Sequence, residues 1–128
     1  EPPVDVLANI AQPDSAFGVS LLPVAGVGLA RLEFIISSVI KVHPMAIIKP
    51  ESIDHKSNDR IRALSVGYAT PRDYYINLLA QSIGMIAGAF YPRPVCVRLT
   101  DFKTNEYRDL IGGSFFEPHE ENPMIGFR

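Results

Sequence analysis

Three arginines stand where a short apolar run gives way to polar chain: Arg31 in GVGLARLEF, Arg98 in PVCVRLTD and Arg128 in NPMIGFR. A guanidinium stays charged at any physiological pH and can bond a phosphate or carboxylate through two parallel N–H groups, a fork that lysine lacks. If the apolar runs are parallel strands, the three groups could converge on one anion. The positive site so formed would be local, because the whole chain carries a formal net charge of -2 and predicts no general affinity for nucleic acid.

Each arginine also has a structural reading. Arg31 could pair with Glu33 or a neighbouring carboxylate. Arg98 sits on an otherwise apolar strand and must find an anion, and Asp101 is so close in sequence that it need not face it. Arg128 could pair with a terminal carboxylate. Asp101 opens a polar stretch with Lys103, Asn105 and Glu106, so it either supports the site by orienting an arginine or serves in ordinary loop capping. Glu117, Glu120 and Glu121 beside His119 read as a solvated acidic turn, and no metal ligand is assigned among them. Gly112 and Gly113 read as turn residues, since no helix with Lys or Ser/Thr follows them. Gly26-x-Gly28 lacks the third glycine of a dinucleotide fingerprint. Cys96 reads as a buried, inert thiol in mid-strand.

The elements that must position these residues follow from periodicity and breakers. Residues 4–11 predict a strand with both faces partly buried. Pro13-Asp14-Ser15 opens a short helix through about Leu22, with Phe17, Leu21 and Leu22 at helical spacing, ended by Pro23. A second strand begins at Gly26, and an amphipathic segment over residues 33–42 stops at His43-Pro44. Residues 49–68 are polar and predict a surface excursion with a helix over residues 59–67. The clearest helix starts at Thr70 as N-cap, with Pro71 in its first position and Asp73 three residues after the cap. Tyr75, Leu78, Leu79, Ser82, Ile83, Ile86 and Phe90 mark its apolar face, and Ala80, Gly84, Ala87 and Gly88 are small enough to let it lie close to a sheet. Pro92 and Pro94 precede a third strand over residues 95–100.

Strand, long crossover and strand imply parallel α/β architecture, in which ligands gather at the carboxyl ends of the strands. Arg31 and Arg98 fall there. The length of 128 residues suits one domain, one cysteine suggests no disulfide framework, and there is neither an apolar run of transmembrane length nor a signal-peptide pattern. A cytoplasmic protein is expected, with no nucleic-acid or membrane partner. The chain begins Glu1-Pro2-Pro3 without methionine and stops at Arg128 directly after an apolar run, so a fragment of a longer polypeptide is expected.

The words GVGLARLEFII, KVHPMA, AFYPRPVCVRLTDFKTNEYRDLIGG and EPHEENPMIGFR together resemble the phosphoenolpyruvate-utilising enzymes. Within them, DFKTNEY followed by LIGG resembles the pyruvate, water dikinase branch more than the pyruvate phosphate dikinases or the sugar-transport phosphocarrier enzymes. The resemblance implies a partial (β/α)8 TIM barrel, roughly the first three βα units, with residues 1–128 a piece of a phosphoenolpyruvate- and pyruvate-binding domain truncated at its carboxyl end. It implies an ATP-dependent conversion of pyruvate to phosphoenolpyruvate through a phosphohistidine. Arg31, Arg98 and Arg128 match the family's substrate-binding arginines. Mg2+ and ATP are the implied cofactors of the parent, with the magnesium ligands and the proton-donating cysteine downstream of this chain. None of His43, His55 and His119 lies in the family's phosphohistidine context. Phosphohistidine and ATP-binding domains of the same parent chain are the implied partners, in a parent that forms a homo-oligomer. The fragment alone is expected to be inactive. A non-catalytic fragment whose arginines pair internally is the alternative, as is a piece of a sister dikinase or phosphocarrier enzyme.

Overall fold

The structure, a computed structural model, describes residues 3–125. Apolar runs bounded by glycine and proline form three strands, β1 (Leu7–Ile10), β2 (Gly26–Arg31) and β3 (Val95–Arg98). They form one sheet in the order β1-β2-β3, with both pairings parallel, as the long crossovers predict. The expected strand over residues 4–11 pairs only across Leu7–Ile10, and Val4, Val6 and Leu7 are exposed because β1 is an edge strand. Edge position also exposes Cys96, contrary to its reading as a buried thiol.

Helix α1 (Ala16–Ser20) follows a 3₁₀ turn at Pro13–Ser15. The apolar residues at helical spacing are not its buried face: Phe17 and Leu21 are 69% and 73% exposed, and Ala16 and Ser20 are buried. Directly after β2 come α2 (Leu32–Ile35) and a π-helical turn at Ile36–Ile40, which bury Leu32, Ile35, Ile36 and Ile40.

The helical segment after β2 ends at Ile40, before His43-Pro44 as expected, and His43-Pro44 also starts a helix that the sequence reading did not give. In α3 (Pro44–Ile48) the His43 Nδ1 accepts the Met45 N–H and Pro44 takes an early helical position where a missing N–H costs nothing. Helix α4 (His55–Leu64) starts four residues earlier than expected because Asp54, not the Asp59 region, caps it through the Ser57 N–H. Helix α5 (Pro71–Phe90) has the predicted cap: Thr70 Oγ1 accepts the Asp73 N–H at 3.1 Å and donates to Asp73 Oδ2 at 2.7 Å. Tyr74, Ser82, Ile86 and Phe90 form its buried stripe. Ala80, Gly84, Ala87 and Gly88 are exposed, so the small residues do not serve close packing on the sheet. A last short helix, α6 (Thr104–Arg108), precedes a 3₁₀ turn at Gly113–Phe115 that begins after left-handed Gly112, φ 80°.

The described chain divides into two compact units. One holds residues 3–39 with Leu78–Thr100 and contains the sheet, packed with Ile10, Val27, Ala30, Ile35, Ile86 and Phe90. The other holds Ile40–Asn77 with residues 101–125, and its core includes Val42, Ala46, Ile61, Tyr74 and Ile111. In that unit Val42 and Ile111 make an isolated parallel bridge, with the Ile111 N–H on Lys41 O and the His43 N–H on Ile111 O. Among the described residues no helix is long and apolar enough to cross a membrane.

Candidate functional site

The last residues of β2 and β3, Arg31 and Arg98, are register partners. Residues opposite one another on neighbouring strands send their side chains to the same face, so both guanidinium stems leave the sheet on one side at its carboxyl edge. Gly26 makes this register reachable: a Cβ there would lie 2.3 Å from Pro94 O, the carbonyl that accepts the Val27 N–H at the start of the ladder. Arg93, which the sequence did not single out, braces the same end. Its guanidinium donates to Val24 O at 3.0 Å and Ser20 O at 2.6 Å and lies over the Phe90 ring, pinning the turn that feeds β2.

Glu33, in the first turn of α2, takes a different arginine from the one nearest to it in sequence. Its Oε1 accepts from Arg98 Nη2 at 2.6 Å, with the Arg98 side chain 42% and the Glu33 side chain 12% exposed. Glu33 therefore partners the neighbouring strand's arginine, in place of Arg31 two residues before it. Arg31 is exposed and its side chain makes no hydrogen bond or ion pair among the described residues. An incoming anion could engage the Arg31 side chain without displacing a partner among the described residues.

Asp101 is exposed, three residues past the end of β3 and within the second unit. Arg128 lies outside the described residues.

A second constellation, in the second unit, was hidden from sequence reasoning by separation along the chain. The His43 ring is 3% exposed, stacks on Phe116 at 5.4 Å, meets the edge of Tyr107 at 5.6 Å, and has Nε2 3.0 Å from Glu117 Oε1. Because Nδ1 accepts the Met45 N–H, the neutral ring carries its proton on Nε2 and donates it to Glu117. Glu117 thus belongs to a packed contact and is no solvated turn residue. Arg108 Nη1 donates to Glu117 O, while the Asn105 amide brackets Glu120, accepting its N–H and donating to its C=O. Tyr75 lies nearby in the same unit, and burial, with a smaller contribution from Tyr107, pushes its hydroxyl up to about 12. Among the described residues no three of His, Cys, Asp and Glu come together in a way that could hold a metal ion.

Residues 2–128 match the family described as PEP-utilising enzyme, PEP-binding domain, and the chain belongs to that family. Among curated proteins it is similar to the phosphoenolpyruvate synthase of Deinococcus radiodurans, 52% identical over 96% of the chain and 16% of that protein. The phosphoenolpyruvate synthases of Helicobacter pylori and Escherichia coli K12 are 50% and 48% identical, over 96% and 98% of the chain and 15% and 16% of their own lengths. The chain thus spans less than one fifth of the length of these relatives.

Proposed function

We propose that the chain is a piece of an ATP-dependent dikinase that converts pyruvate, ATP and water to phosphoenolpyruvate, AMP and phosphate through a phosphohistidine, and that it supplies arginines for the phosphoryl group. The observation that carries this reading is the register pairing of Arg31 with Arg98 at the carboxyl edge of a parallel sheet, where ligands of such sheets gather. A phosphoryl group in transfer spreads charge over its equatorial oxygens, and protein groups act on it by positioning and by stabilising that charge. Arg31 and Arg98 would hold the phosphate and transferring oxygens, Arg128 would complete the cradle, and Asp101 would orient one of the guanidinium groups.

Parallel strands in sequential order, joined by helical crossovers, support a partial (β/α)8 barrel of about three βα units, whose remaining units lie elsewhere in the parent polypeptide. The small share of each relative that the chain covers supports the same view. On this reading the segment alone is inactive, and its partners are phosphohistidine and ATP-binding domains of the same polypeptide, in a cytoplasmic homo-oligomer. Mg2+ is part of the proposed chemistry, but the described residues do not assemble a site for it, and no step of the reading runs through the ion.

The pairing of Arg98 with Glu33 favours a second reading, in which the strand-end arginines are structural. Calorimetric titration of the full-length protein with phosphoenolpyruvate separates the two. Charge-assisted hydrogen bonds support a loss of roughly tenfold or more in affinity for Arg31→Ala and for Arg98→Ala. Unchanged affinity in both variants would leave the structural reading standing.

A further inference from the structure

Helices α3, α4 and α5 of the second unit line two cavities, of about 550 and 320 Å3, whose walls share Ile47 and Arg72. The shared wall makes them two halves of one groove. The larger half is apolar, with Pro44 and Ile48 from α3 and Ile76 from α5. Ile48 and Ile76 are 68% and 52% exposed, so this half is a bare apolar floor. Arg72, Tyr75 and Ile76 stand three and four residues apart on α5 and so share one face of it.

The smaller half is cationic. Arg62, in the last turn of α4, and Arg72, in the first turn of α5, both line it, and neither side chain makes a hydrogen bond or ion pair among the described residues. Asp73, beside Arg72 in sequence, is taken by Thr70 Oγ1 at 2.7 Å. A cation in the first turn of a helix stands against the dipole, a cost that an anion between the two guanidinium groups would offset. The walls hold without either arginine: Tyr74 Oη donates to Ile40 O at 2.9 Å, tying α5 to the chain ahead of α3, and Asn58 Nδ2 donates to Pro50 O at 2.9 Å, tying α4 to the turn after α3.

We propose that this groove binds a small organic phosphate monoester with an apolar body, its phosphate held by Arg62 and Arg72 and its body seated on Pro44, Ile48 and Ile76. Two guanidinium forks match the charge of roughly -1.5 to -2 that such a phosphate carries near neutral pH, and each can bond two of its oxygens. The two halves together fall within the range of roughly 300–1,000 Å3 usual for small-ligand sites, which pair an apolar lining with a few polar groups as this groove does. The site does not depend on the roles given to Arg31 and Arg98.

Isoleucine-methyl NMR of the full-length protein tests it, with phenyl phosphate as the probe and inorganic phosphate and phenol as its separate halves. Phenyl phosphate is expected to shift the Ile47, Ile48 and Ile76 methyls saturably and to bind more tightly than either half. Arg62→Gln and Arg72→Gln should each weaken it roughly tenfold at unchanged melting temperature, since both side chains are exposed and unpaired in the fold. Absence of saturable shifts at these methyls overturns the proposal, as does an affinity unchanged in both variants. Inorganic phosphate binding as tightly as phenyl phosphate would mean an adventitious ion only. Methyls shielded from a soluble nitroxide would mean that another part of the polypeptide covers the groove, and that too overturns it.

Discussion

Arg31 and Arg98 stand opposite each other on adjacent parallel strands, yet Arg98 is 2.6 Å from the Glu33 carboxylate while the Arg31 side chain makes no hydrogen bond or ion pair among the described residues. Two arginines that look alike in sequence are therefore held differently in the fold. Glu33 reaches Arg98 because α2 begins immediately after β2, which brings its first turn above the neighbouring strand's end.

That asymmetry predicts unequal stability costs. Arg98→Ala removes an ion pair that is half in solvent on the arginine side, and should cost about 0.5–1 kcal/mol, shrinking as salt is added. Arg31→Ala should stay within about 0.5 kcal/mol of the wild type. Urea unfolding at low and high ionic strength measures both, and an Arg31 cost equal to that of Arg98 would show that the two side chains are anchored alike.

Gly26 and Gly84 should respond in opposite directions to alanine. At Gly26 the new methyl meets a backbone carbonyl at 2.3 Å and Pro94 Cγ at 3.0 Å, both rigid, so the β2–β3 register must shift and a loss of about 2 kcal/mol or more is expected. At Gly84 nothing lies within 4 Å and the site is mid-helix in α5, so alanine should stabilise by about 0.5–1 kcal/mol. Thermal melts of the two variants decide, and a neutral Gly26→Ala would mean that the two strands need not approach as closely as they do.

How much of this was legible in sequence depended on how local each cause was. Thr70, Pro71 and Asp73 announced α5 because the cap is made by residues three apart. Arg31 and Arg98 announced the strand ends because each sits at an apolar-to-polar switch. Helix α3 was missed since His43-Pro44 was read only as the stop of the preceding segment, which it is, although proline in a first turn is equally a start and the histidine ring supplies the cap. Phe17, Leu21 and Leu22 have helical spacing but lie exposed, because spacing specifies a face and only tertiary neighbours specify whether it is covered. The contact between His43 and Glu117 spans 74 positions, and nothing in either local segment points to the other.

Tyr75 carries a pH dependence whose sign is fixed by burial. Its hydroxyl is raised to about 12 in the folded chain, against about 10 for an unfolded tyrosine. Between those values the unfolded state releases a proton that the folded state keeps, so this group's contribution to stability is intact below about pH 10 and is lost as the pH rises. Tyr75→Phe should melt within a few degrees of the wild type at neutral pH and lose stability less steeply across that alkaline interval. Parallel curves for the two proteins would mean that the Tyr75 hydroxyl ionises as readily in the fold as out of it.

Truncating His43 should be costly to the second unit. Alanine there removes the acceptor that caps α3, the partner of Glu117, and a ring packed between Phe116 and Tyr107, in a position that is all but sealed from solvent. Together these losses suggest about 2–4 kcal/mol. Amide hydrogen exchange distinguishes loss of the contact from general loosening. The Met45 amide, whose bond goes to Nδ1, and the amides of Glu117 and Glu120 should exchange faster in His43→Ala, while the Ser57 amide, held in the same unit by Asp54 Oδ1, should keep its protection. Faster exchange at Ser57 to the same degree would show that His43 supports the whole unit instead of the contact around Glu117, whereas unchanged exchange at Met45 would mean that α3 does not depend on the ring for its cap.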